Sequence, residues 1–169
     1  MSEISNTPFK IKLEGPEGDH SHLIGELLEE VKPRKMIHQL ILYAYSMGYE
    51  NPSDGISFPI RWWAQLAFQD FNMKHPVGVM HDALYREGPL NPFVPKSLHG
   101  DETAVRRWMD ARFGEGLWDF GNWGRAFTWE WGLRLFGYEA YHQYREREAR
   151  GDYRHILNKE IIPIQGNAT

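Results

Sequence analysis

Apolar and charged residues alternate with a period of two over residues 8–14, Pro-Phe-Lys-Ile-Lys-Leu-Glu, the pattern of a strand with one buried face. Gly15-Pro16-Glu17-Gly18-Asp19 is turn chemistry, and residues 22–31 suit either a second strand or an amphipathic turn of helix. Residues 36–45, Met-Ile-His-Gln-Leu-Ile-Leu-Tyr-Ala-Tyr, form a bulky apolar run after Pro33 that fits a buried strand or a short helix. Turn signals then crowd between Gly48 and Phe58, and the period changes to a helical one. Trp62, Trp63, Leu66, Ala67 and Phe71 recur at helical spacing and predict a helix from Ile60, behind Pro59. A second helix opens at Pro76 and is stopped by Gly88-Pro89. After a proline-rich loop, Asp101 stands where an N-cap belongs, and Val105, Trp108, Met109 and Ala111 carry a third helix to Gly114. A fourth runs from about Arg125 to Arg150, with Leu133, Phe136 and Tyr141 as buried candidates.

These elements predict an α+β fold, a small N-terminal β element followed by a mainly helical bundle of about four helices. The organisation is one domain over residues 1–169: a β-rich part and loop in 1–58, a helical part in 59–150, and a tail in 151–169 whose apolar patch is Ile161, Ile162 and Ile164. A chain of 169 residues with 41% hydrophobic and 14% aromatic content is long and apolar enough for one core, which makes intrinsic disorder a poor description.

Charge and residue usage narrow the function classes. A net charge of −4 offers no global positive field for nucleic acid or an anionic membrane. Cysteine is absent, so a thiolate zinc site, a disulfide framework and a cysteine nucleophile are excluded, and any metal must be held by oxygen or imidazole. Residues 1–15 lack the basic and apolar regions of a secretory signal, and the longest apolar run, Leu40 to Tyr45, falls far short of the ~20 residues that span a bilayer. The absence of cysteine suits a reducing interior or a virion equally well. The histidines show no H-x-x-x-H or H-E-x-x-H spacing, and no phosphate-cradling glycine loop or G-x-S-x-G elbow is present. Trp118, Trp123, Trp129 and Trp131 are interleaved with arginines; packing explains them better than stacking on sugars or bases.

The candidate chemistry lies on the second helix, in His81-Asp82-Ala83-Leu84-Tyr85. His81 and Tyr85, four apart, share a face, while Asp82 lies about 100° around the helix. An imidazole accepts a proton near neutral pH and a neighbouring carboxylate can hold a hard cation, so the pair can form a base-plus-metal site or a satisfied core contact. Upstream, Asp54-Gly55-Ile56-Ser57-Phe58-Pro59 can fold back on it, with Asp54 either accepting from a histidine or metal or closing an Asx turn.

Ser53 to Pro59, Pro76 to Gly88 and Gly132 to Arg145 resemble, in order, the "TDGASIP", "HDYLY" and "VRLFG" motifs of the phage and prophage family called domain of unknown function 1353. The resemblance covers roughly residues 40–145. It departs at Ser53, Ile56 and Phe58, favours a strand over 36–45, and implies Asp54, His81, Asp82 and Tyr85 as the polar signature. It also implies a later acidic residue, for which Asp101 is the better match and Asp110 the weaker. The His-Asp-x-x-Tyr helix is also similar to that of phospholipases A2. That similarity implies His81 as base for a water, Asp82 as the calcium ligand, and Asp101 with Tyr85 as the pair orienting His81; Asp54 is a further candidate metal ligand from its place in the upstream loop. The helix-pairing cysteines and glycine-rich calcium loop are lacking. The expectations are a phage-associated hydrolase acting on lipid or cell-envelope esters; a non-catalytic virion or tail component with a buried polar network; or a small phage protein that binds a host factor. Exposure of His81 and Asp82 discriminates the first two.

Overall fold

The computed structural model describes residues 2–4, 11–13, 35–49, 76–120, 123–157 and 159–162. Four α-helices dominate them: α1 (Met36–Ser46), α2 (Pro76–Glu87), α3 (Glu102–Asp119) and α4 (Trp123–Ala149). Short 3₁₀ turns follow α2 at Gly88–Leu90 and precede α3 at Lys96–Leu98. The α+β expectation is therefore corrected to a helical fold. At the N-terminus, Ser2–Ile4 and Ile11–Leu13 pair antiparallel over only three residues each, a ribbon too short to form a layer of the fold. The core is built from helices.

Residues 36–45, for which a strand was favoured, are helix α1. The physical reason is visible in its burial: Ile37, Leu40, Ile41 and Ala44 recur at helical spacing, but Leu42, Tyr43 and Tyr45 are buried as well. A helix enclosed on nearly every side loses the polar face that announces its period. The helix ends at Gly48, whose φ of 80° suits glycine, with Gly48 N–H donating to the Tyr45 carbonyl (3.0 Å) and Tyr49 N–H to the Ala44 carbonyl (3.1 Å). These paired bonds form a Schellman motif and aim Tyr49 back into the core, where it is fully buried.

Helix α2 starts at Pro76, and eleven of its twelve residues are buried, all but Asp82. It is the central helix of the fold. Helix α3 opens on Asp101, whose side chain accepts from Ala104 N–H at 2.9 Å, and continues past the expected end at Gly114 to Asp119. Val105, Met109, Phe113 and Leu117 of α3 line the core with Val77, Met80 and Leu84 of α2 and with Leu133 and Tyr141 of α4. The expected helix at 60–71, the segment 22–31, the loop carrying Asp54, Ile164, and the side chains of Phe136, Trp123, Trp129 and Trp131 lie outside the described residues. Trp118, assigned to packing from sequence, is instead 59% exposed. Among the described residues no helix is long and apolar enough to cross a membrane.

Candidate functional site

The α2 residues His81 and Tyr85 face α3, and the carboxylate that meets them is Asp110. His81 Nε2 lies 3.3 Å from Asp110 Oδ1, and the Tyr85 hydroxyl donates to the same oxygen at 2.6 Å. Asp110 Oδ2 accepts from Arg106 Nη1 at 3.3 Å, one helical turn earlier on α3. The same Arg106 nitrogen donates to the Leu133 carbonyl of α4 at 3.1 Å. One carboxylate thus gathers donors from α2 and α3, and its arginine extends the network to α4. Gly137 of α4 comes so close that a β-carbon there would stand 2.5 Å from the Tyr85 hydroxyl oxygen.

The network is sealed. His81 is 4% exposed, and its ring is packed between Tyr85 (centroids 4.1 Å apart) and Phe113 (4.8 Å). Burial, then the neighbouring Asp110 charge, holds the Tyr85 phenol well above its ordinary value, so it stays a donor.

Asp101 stands outside this cluster. It is exposed and occupied as the N-cap of α3, so the orienting pair assigned to His81 from sequence is replaced in space by Asp110 and Tyr85. Asp82 also points elsewhere: its Oδ2 accepts from Arg86 Nε at 2.9 Å, four residues on. That guanidinium neutralises the carboxylate assigned to calcium, and no group of three His, Asp or Glu side chains able to hold a metal occurs among the described residues. The described residues do not fit a calcium site. Asp54 lies outside them.

A second polar centre, unmarked by any motif, surrounds Glu87 at the C-terminus of α2. Glu87 is fully buried and accepts from three side chains: Tyr49 to Oε1 at 2.8 Å, Asn91 Nδ2 to Oε2 at 2.6 Å, and Tyr43 to both oxygens at 3.1 and 3.0 Å. Burial pushes its carboxyl up to about 7, although the three donors pull the other way. Beside it, Arg145 of α4 donates to the terminal carbonyls of α2, those of Tyr85 (2.9 Å), Arg86 (2.7 Å) and Glu87 (3.3 Å). A cation thereby satisfies a buried helix end. Gly88, at φ 55°, lets the chain turn there; any β-carbon would collide with the Arg145 guanidinium.

Arg106 and Glu87 were missed and Asp110 stood only as the weaker candidate, yet all three carried usable signals. Arg106 and Asp110 interrupt the apolar stripe of α3 at a spacing of four, and Glu87 places a carboxylate at a helix C-terminus, where the dipole disfavours it. No family model, curated protein or solved structure matches the chain.

Proposed function

We propose that this chain is a phage-associated structural component of a virion or tail, in which His81, Tyr85, Arg106 and Asp110 form a polar clasp between helices. The observation that carries this reading is the enclosure of His81: at 4% exposure its ring is covered by aromatic side chains, and both oxygens of its partner Asp110 are engaged. A buried network of this kind fixes how helices dock, even with Arg106 Nε left without a hydrogen-bond partner among the described residues. Asp82 is only partly buried, and its carboxylate is ion-paired to Arg86. The phage association rests on the ordered motif resemblance, and the partners it implies are other virion proteins.

A second reading, a hydrolase acting on lipid or envelope esters, is favoured by one feature. His81 and Tyr85 converge on a single carboxylate oxygen, the arrangement that holds an imidazole ready to take a proton from water. Release of fatty acid from mixed phospholipid vesicles, with and without calcium, separates the two. The clasp predicts no release above a protein-free blank, and a His81→Gln variant that melts several degrees lower. Release that His81→Gln abolishes at unchanged melting temperature would overturn the clasp and establish the hydrolase.

A further inference from the structure

The Tyr49 hydroxyl connects Glu87 to the far end of the chain. While its O–H donates to Glu87 Oε1 at 2.8 Å, its oxygen accepts the backbone N–H of Leu157 at 3.0 Å, 108 residues away. We propose that Glu87 is the proton-operated pin of a latch: ionised, it orients the Tyr49 hydroxyl to hold the Leu157 amide, and protonated, it releases that amide and the chain beyond.

Geometry dictates where the proton goes. Asn91 Oδ1 accepts from Phe93 N–H at 3.0 Å, which fixes the amide so that Nδ2 donates to Glu87 Oε2 at 2.6 Å. Oε2 is thereby committed as an acceptor, and an added proton belongs on Oε1. From there its nearest acceptor is the Tyr49 oxygen at 2.8 Å, with Tyr43 farther at 3.1 Å. A phenolic O–H lies in the ring plane and has two directions open to it. Once Glu87 donates along the first, the Tyr49 O–H turns to the second, toward Leu157 N–H. Two donors then face each other and the Leu157 bond is lost. The carboxyl, pushed up to about 7 by burial, makes this exchange near neutral pH.

Among the described residues, the titratable or charged groups beside Glu87 are Tyr43 of α1, Tyr49 of the turn after it, and Arg145 of α4, which also pairs with Glu148 at 3.0 Å. Glu148 in turn meets His155 Nε2 at 3.3 Å. Protonating His155 strengthens that contact, so it opposes release rather than mimicking it. His155 and Ile156 are buried and keep the chain anchored up to the latch.

Amide hydrogen exchange on the full chain, corrected for intrinsic rate, tests the latch directly. Leu157 protection should fall at least tenfold between pH 8.5 and 5.5, with a midpoint near 7, while protection in α2 stays constant. In Glu87→Gln, whose amide nitrogen faces Tyr49 as the protonated acid does, Leu157 should be unprotected at both pH values. Tyr49→Phe should be unprotected throughout, and Tyr43→Phe and His155→Gln should keep the response. Equal Leu157 protection at both pH values in the wild type would overturn the proposal, as would a Glu87→Gln chain protected like the wild type at high pH or a response lost in His155→Gln. Should Glu87→Gln not fold, the wild-type series and Tyr49→Phe decide.

Discussion

At the scale of single residues, burial decides what each polar group does. Tyr141 is 2% exposed, and its hydroxyl has no hydrogen-bond partner among the described residues; burial pushes it up to about 12. Because an orphaned buried hydroxyl costs about 1–3 kcal/mol, Tyr141→Phe should leave urea-unfolding stability unchanged or raise it. Tyr85→Phe differs by the same single atom but removes a donor to Asp110, and should cost about 1–2 kcal/mol in that assay. Glu87 makes stability depend on pH. In the unfolded chain it ionises near 4.5, in the folded chain near 7, so between those values the folded form holds the extra proton. Its contribution is therefore fully present below about pH 4.5, declines as pH rises through about 7, and is level above. Urea midpoints measured across that window should lose this decline in Glu87→Gln.

At the scale of elements, ends and stripes carry the account. Gly88→Ala forces a β-carbon into the Arg145 guanidinium at a left-handed φ, and should destabilise by more than 1 kcal/mol in thermal melts. Asp101→Ala should cost about 1 kcal/mol, the ordinary loss of an N-cap, without touching the His81 network. Much of α2 and the start of α3 was legible because Pro76, Gly88-Pro89 and Asp101 act through local chemistry that sequence displays. Helix α1 was misread for the opposite reason. Buried on nearly every side, it shows a continuous apolar run, and only the spacing of Ile37, Leu40, Ile41 and Ala44 betrays it. Asp101 stands out over Asp110 because a capping residue is conspicuous in sequence, whereas a carboxylate inside an apolar stripe is recognised by its partners in space.

At the scale of the molecule, one buried carboxylate joins α2 to α3, and its arginine ties α3 to α4. His81 and Tyr85 could be picked out from sequence, but their convergence on Asp110 and the reach of Arg106 to the Leu133 carbonyl are tertiary facts that no local pattern contains. Equilibrium urea unfolding of Asp110→Asn tests the clasp most directly. Removing this charge leaves the Arg106 guanidinium without its carboxylate in a largely dry interior, and the expected loss is about 3 kcal/mol. A variant as stable as the wild type within about 0.5 kcal/mol, the scatter of an ordinary surface change, would contradict the clasp.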